Sequence, residues 1–261
     1  EAADIVLTDD NFASIAAAVE EGRRVYDNLV KSLAFVLPTN LGLALILIYA
    51  VGFFPLVEKT VDGAVVKDLL LPMLPTQLLW INLVAAVALA LPLAFEAKEP
   101  DVMRRPPRDP KEPVLNRFVV IRTFVAASLM TAGSVGLFLW QYGKEMADRE
   151  TNGLSEAQIV SEAQTMAVTT VIMFQIFYML NCRSLRDSVF RIGVFSNETV
   201  FLGITVVLAL QASFIYAPPM QAVFSTYPLS LESLVYSALA GAIILPVITI
   251  EKFVRSREGA D

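Results

Sequence analysis

The sequence predicts an all-α membrane protein, a six-transmembrane-helix bundle preceded by a short α/β segment. Three observations predict it. The chain is 56% hydrophobic and 18% charged with mean hydropathy +0.60, where a soluble domain is about 45–50% apolar and about 25% charged. Six apolar runs, at about 33–54, 69–95, 118–142, 166–180, 199–216 and 231–250, match bilayer-crossing helices in length or fall slightly short. The basic residues between those runs alternate: with the N-terminus cytoplasmic, sixteen Lys and Arg fall on that side and four (Lys59, Lys67, Lys144, Arg149) on the other. That asymmetry places both termini in the cytoplasm.

In chain order, Ile5 to Leu7 read as a buried strand closed by Thr8, Asp9, Asp10 and Asn11, a turn and helix cap. Ile15, Val19, Val25 and Leu29 then recur at helical spacing among charged residues, leading into the first span. Within that span Pro38 cannot donate to the carbonyl of Ala34, so a bend and an unsatisfied acceptor are expected where Asn40 offers an amide. Residues 55–68 read as a loop with a turn at Asp62-Gly63. The second span carries Asn82 near its middle, and Pro72, Pro75 and Pro92 make a straight helix there unexpected.

A Pro-rich charged loop containing Arg104, Arg105 and Arg108 follows. The third span has Gly133 and Gly136 among small residues that allow close helix approach. Lys144 to Gln164 read as a polar loop, and the short fourth span holds Gln175 at its centre. A basic loop with Arg183, Arg186 and Arg191, the fifth span, a Pro218-Pro219 loop and a sixth span containing Pro246 complete the chain.

Composition also excludes. A net charge of −6 without a clustered basic face argues against a nucleic-acid partner. With no His and the single Cys182, the chain cannot build a disulfide or a Cys/His zinc site by itself. A secondary transporter is disfavoured, because the halves show no inverted repeat and the spans hold no charged residue away from their ends for coupling. The acidic opening EAADIVLTDD is no signal peptide, and the chain reads as cut from a longer polypeptide.

Particular stretches carry a resemblance. EAADIVLTDDNFASIAAAVEEGRRVYDN, the PTNLG of the first span, and PTQLLWINLV followed by EPDVMRRPPRDPKEP resemble the C-terminal part of P-type cation-transporting ATPases, nearest to the calcium-pump and sodium-pump branch. The resemblance covers essentially the whole chain. It implies that residues 1–24 are a short α/β remnant of the phosphorylation domain and residues 25–261 the fifth to tenth transmembrane helices. It further implies that the full-length pump uses ATP and Mg²⁺ to drive a transported cation across the lipid bilayer. This chain alone would bind neither: it has no DKTGT, TGE or GDGxND motif, and the preceding helices and cytoplasmic domains would be its partners. The expected location is the plasma membrane of a prokaryote.

At the ion site the resemblance is incomplete. Where the calcium pumps carry carboxylates, this chain has Leu43, Ala86 and Gln175, while amides stand at Asn40, Asn82 and Gln175. Ca²⁺ takes six to eight oxygens, several of them carboxylate, so the resemblance implies a pump for another cation, a monovalent one included. The candidate cation-binding residues are Asn40, Asn82 and Gln175, with Pro38 opening the backbone beside them. The other reading of such amides is hydrogen bonding between helices, which would suit a stand-alone membrane scaffold or regulator without ion binding.

Overall fold

The structure is a computed structural model and describes residues 11–61, 64–107, 117–185 and 197–258. The strand expected at Ile5 to Leu7, the caps at Asp9 and Asp10, the Asp62-Gly63 turn, Arg108, Arg186 and Arg191 lie outside the described residues. Among the described residues, six helices or consecutive helical segments are long and apolar enough to cross a membrane, as the hydropathy pattern predicts.

Helix α1 (Phe12–Phe53) is capped by the Asn11 side chain, which accepts from the Ala13 N–H at 3.0 Å, and runs 42 residues without interruption. At 1.5 Å per residue that is about 63 Å, roughly twice a bilayer's hydrocarbon core. The charged stretch before Lys31 and the first span are therefore one rod. An antiparallel hairpin of β1 (Leu56–Val61) and β2 (Ala64–Leu69) follows, pairing Leu56 with Leu69, where the sequence reads as a loop. Next come α2 (Pro75–Ile81), a π-helical segment (Asn82–Ala86) and α3 (Val87–Ala94). The span is irregular, but at Asn82–Ala86 rather than at a proline, Pro75 starting α2 and Pro92 lying inside α3.

Helix α4 (Arg117–Ala147) leads through the single turn α5 (Arg149–Asn152) to α6 (Glu156–Cys182). The expected loop at Lys144 to Gln164 is largely helical. Ser155 and Gln158 form a capping box, with Gln158 N–H donating to Ser155 Oγ at 3.3 Å and Ser155 N–H to Gln158 Oε1 at 2.9 Å, which starts α6 ten residues before its apolar run. Helices α7 (Glu198–Tyr216) and α8 (Pro218–Phe224) follow, the latter using the Pro218-Pro219 pair as its first turn rather than as a loop. The last span is two helices, α9 (Leu231–Ala242) and α10 (Ile244–Glu258). The break falls at Ile243 because Pro246 has no N–H for the Ala242 carbonyl.

Helix α6 is the axis of the bundle. Its most apolar window is 83% buried, against 28–44% for the other five spans, and it packs on α1, α2, α3, α4, α7, α9 and α10. A helix enclosed on all sides inside a membrane domain has to satisfy its own polar groups. Thr165, Thr169 and Thr170 do so by donating to carbonyls one turn back at 2.7–2.8 Å.

The close helix approaches lie at glycines other than Gly133 and Gly136. A Cβ on Gly136 would meet nothing within 4 Å, and one on Gly133 would make ordinary contacts at 3.8 and 3.9 Å. At Gly203 on α7 it would stand 2.5 Å from the Ala88 carbonyl oxygen, and at Gly241 on α9 2.6 Å from the Phe174 nitrogen. Those two glycines let backbone meet backbone.

Candidate functional site

Pro38 sits buried inside an unbroken α1. The Ala34 carbonyl it leaves without a donor is supplied from another helix: the Tyr178 hydroxyl of α6 donates to it at 2.8 Å, with both residues at most 1% exposed. A buried acceptor left unpaired costs about 1–3 kcal/mol, and the tyrosine removes that cost. Asn40, which the sequence offers for this role, does not fill it; the hydroxyl arrives from 144 residues away. Pro38 therefore marks a helix-to-helix joint between α1 and α6. Thr39 adds bonds to the Phe35 and Val36 carbonyls at 3.2 and 2.9 Å.

The three candidate amides fall into two environments. Asn40 on α1 and Asn82 at the first position of the π segment are both exposed. Gln175 on α6 is 3% exposed, and its Oε1 has no hydrogen-bond partner among the described residues. The structure thus places two of the amides on the outside of the described helices and one in the core, and does not gather them into one enclosed pocket. Leu43, which the resemblance sets where the calcium pumps carry a carboxylate, is 6% exposed and packed in the core, off the surface that carries Asn40. The side chain of Ala86 lies outside the described residues.

Exposure separates Asn40 and Asn82 from the other polar side chains of the bundle interior. Gln77, Gln164 and Gln211 are at most 4% exposed and all bonded, to Phe224 O at 3.0 Å, Leu71 O at 2.8 Å and Thr169 Oγ1 at 3.1 Å. Gln77 and Gln211 fasten helices together, and Gln164 fastens α6 to the segment before α2. Asn40 and Asn82 make no such bond among the described residues, so they do not fasten the described helices to one another.

Asn82 opens a turn in which i to i+5 hydrogen bonding replaces i to i+4. Such π turns are rare and concentrate at functional sites, because the widened turn disturbs the backbone pairing. The residues flanking it are held firmly. Gln77 closes the first turn of α2 by accepting from Leu74 N–H at 3.0 Å, and Trp80 is 7% exposed and stacked on Phe214 with centroids 5.0 Å apart.

At the end of the bundle that carries the Arg-rich segment, charge is organised around residues 95–105. Glu96, 3% exposed, accepts from Arg183 Nε at 3.2 Å, Arg183 Nη2 at 3.0 Å and Asn197 Nδ2 at 2.8 Å. Asn28 on α1 donates to the backbone carbonyls of Ala94 and Glu96 at 3.2 and 2.8 Å. Arg105 pairs with Asp27 at 2.7 Å, Asp101 at 2.6 Å and Glu99 at 2.5 Å, while Lys31 stands 3.4 Å from Glu99.

Burial works against the Glu99 charge, but Lys31 and Arg105 outweigh it and hold the carboxyl below its ordinary value of 4.5. The hydrogen bond to Asp101, with Glu99 and Asp27 behind it, outweighs burial and raises the Arg105 pKa. Arg23 closes the clasp by donating to the carbonyls of Val102 and Arg105 at 2.9 and 2.8 Å. The segment after α3 is thereby strapped to the polar half of α1 and to the end of α6. Arg105 is a strut within this strap, a role its charge and position in the sequence do not announce.

Comparison with known proteins shows the family of the chain. Residues 70–254 match the family model described as "Cation transporting ATPase, C-terminus". The chain is 40% identical over 250 residues to the "Probable cation-transporting ATPase F" of Mycobacterium tuberculosis, covering 95% of this chain and 25% of that protein. It is 32% identical to the rat "Calcium-transporting ATPase type 2C member 2" (94% of this chain, 23% of the relative) and 31% identical to the "Calcium-transporting ATPase 1" of Bacillus cereus (97% and 27%). The chain thus spans about a quarter of the length of these relatives, and the aligned part is their C-terminal region.

Proposed function

Since this chain belongs to the family of cation-transporting P-type ATPases and corresponds to their C-terminal membrane region, we propose that it is the membrane-spanning part of an ATP-driven cation pump and lines its ion path with Asn40 and Asn82. The observation that carries this reading is the contrast in the amides. The bonded ones are buried and tie the elements of the bundle to one another, whereas Asn40 and Asn82 are presented outward, one on the helix jointed at Pro38 and one on a π turn. Amide and backbone carbonyl oxygens are suitable ligands for a hard cation shedding its water, and a widened turn frees such oxygens.

With Leu43 buried and no carboxylate at the Gln175 position, the charge compensation Ca²⁺ requires does not come from these positions. The transported ion is then a cation other than Ca²⁺, a monovalent one included, or its carboxylates come from other helices of the pump. ATP and Mg²⁺ act in the cytoplasmic domains of the full-length protein, and both termini of this chain face the cytoplasm, in a prokaryotic plasma membrane. Gln175, with its unpartnered buried Oε1, supports the site from within the bundle. The family membership leaves the stand-alone scaffold reading without support.

The test is the cation dependence of the phosphoenzyme in the full-length pump. Asn40→Ala combined with Asn82→Ala is expected to abolish cation-stimulated formation or breakdown of the phosphoenzyme while the protein still reaches the membrane. An unchanged cation titration would remove both residues from the ion path.

A further inference from the structure

The π segment at Asn82 lies between two fixed points on one neighbouring helix. Before it, Trp80 donates its Nε1–H to Gln211 Oε1 of α7 at 3.2 Å. The Gln211 amide donates in turn to Thr169 Oγ1 of α6 at 3.1 Å, and that hydroxyl donates to the Thr165 carbonyl at 2.7 Å. Gln211 is 2% exposed and Thr169 0%, so this is a desolvated chain of bonds anchored in the central helix. After the π segment, the Ala88 carbonyl rests on Gly203 of the same α7, where a Cβ would stand 2.5 Å from that oxygen and 3.0 Å from Pro92 Cγ.

The spacings correspond. Trp80 and Ala88 are eight residues apart and enclose the whole π segment, and Gly203 and Gln211 are eight residues apart on an uninterrupted α-helix. The contacts run antiparallel, Trp80 to Gln211 and Ala88 to Gly203. An unbroken α-helix of eight residues rises about 12 Å, so α7 offers a fixed length along which the widened turn must fit.

We propose that Gln211 and Gly203 are positioning residues that hold the π segment, and with it Asn82, in the geometry that meets the cation, α7 acting as a splint. Neither residue touches the ion. The proposal deepens the reading of Asn82 as a path-lining residue and rests on it.

The experiment titrates phosphoenzyme formation against the transported cation in the full-length pump carrying Gln211→Leu, Trp80→Phe, Gly203→Ala or Asn82→Ala, with cation-independent phosphorylation by inorganic phosphate as the second readout. Trp80→Phe keeps an aromatic ring for the stack and removes only the donor, so it reads the pin even where Gln211→Leu folds poorly. Trp80→Phe and Gln211→Leu are each expected to raise the half-saturating cation concentration about threefold to tenfold, the size one hydrogen bond sets. The double variant should be no worse than either single. Gly203→Ala should shift the same quantity, and phosphorylation by phosphate should stay at the wild-type level.

Unchanged half-saturation in Trp80→Phe and Gly203→Ala, with Asn82→Ala shifted, overturns the splint and leaves the ion path intact. Losses that appear equally in both readouts also overturn it, since they mark a purely structural role. A wild-type titration in Asn82→Ala removes the path reading, and the splint falls with it.

Discussion

Replacing Arg183 by Ala is expected to destabilise the bundle by about 3–5 kcal/mol, the cost of leaving one member of a buried ion pair without its partner. Its side chain is 0% exposed and that of Glu96 4%. The Glu96 carboxylate would keep the bond from Asn197 and lose both from Arg183. Because Glu96 also offers its backbone carbonyl to Asn28, the damage would spread to the strap between residues 95–105 and the polar half of α1. Thermal unfolding in detergent measures it, with Lys98→Ala as the contrast. The Lys98–Glu20 pair is shorter, at 2.7 Å, but its side chains are 55% and 34% exposed. Water and salt compensate an exposed pair, so its loss is worth about 0–1 kcal/mol. Equal effects of the two substitutions would show that burial does not govern the Arg183 pair.

Gly241→Leu is the second large effect expected. The first atom of any side chain at this position would lie 2.6 Å from the Phe174 nitrogen, 2.7 Å from the Met173 carbonyl carbon and 2.9 Å from Met173 Cβ. Two of these are backbone atoms of the central helix, which cannot rotate aside. Helix α9 would have to move off α6, taking with it the Thr170–Ser237 hydroxyl contact at 3.2 Å. Overpacking of a tight interface costs about 1–3 kcal/mol even for small additions, and a four-carbon side chain against backbone belongs at the top of that range or beyond. Gly136→Leu, in open space, is expected to leave the midpoint of thermal unfolding close to wild type. A Gly241→Leu protein as stable as Gly136→Leu would contradict the close packing of α9 on α6.

The six spans were legible because each is a long apolar run, most of them matching a bilayer's thickness, a property of composition that survives without knowing any neighbour. Element ends were less legible, for local reasons. Helical spacing carried Asn11 to Lys31 into the first span, but the burial of Asn28 and Lys31, each 2% exposed, was not readable, because what buries them is a segment some seventy residues onward. The α6 start was readable in Ser155 and Gln158, but the polar character of the stretch outweighed the cap. Which glycines would meet backbone was not readable at all, since Gly133, Gly136, Gly203 and Gly241 sit in similar apolar surroundings in the sequence and differ only in what lies opposite. The amides divided in the same way: residue type proposed Asn40, Asn82 and Gln175 together, and only the packing separated two outward side chains from one buried in the core.

The central claim, that Asn40 and Asn82 face an ion path rather than lipid, is tested most directly by thiol accessibility. Asn40→Cys and Asn82→Cys, with Leu83→Cys as an exposed apolar comparison, would be introduced into the full-length pump, where Cys182 of this chain is buried. The rate of modification by a small charged thiol reagent would then be followed with and without the transported cation. The thiols introduced at positions 40 and 82 are expected to react in the cation-free enzyme and to be protected by the cation, while the thiol at position 83 stays inert in both states. Inert thiols at positions 40 and 82, or rates that the cation does not change, would contradict the claim.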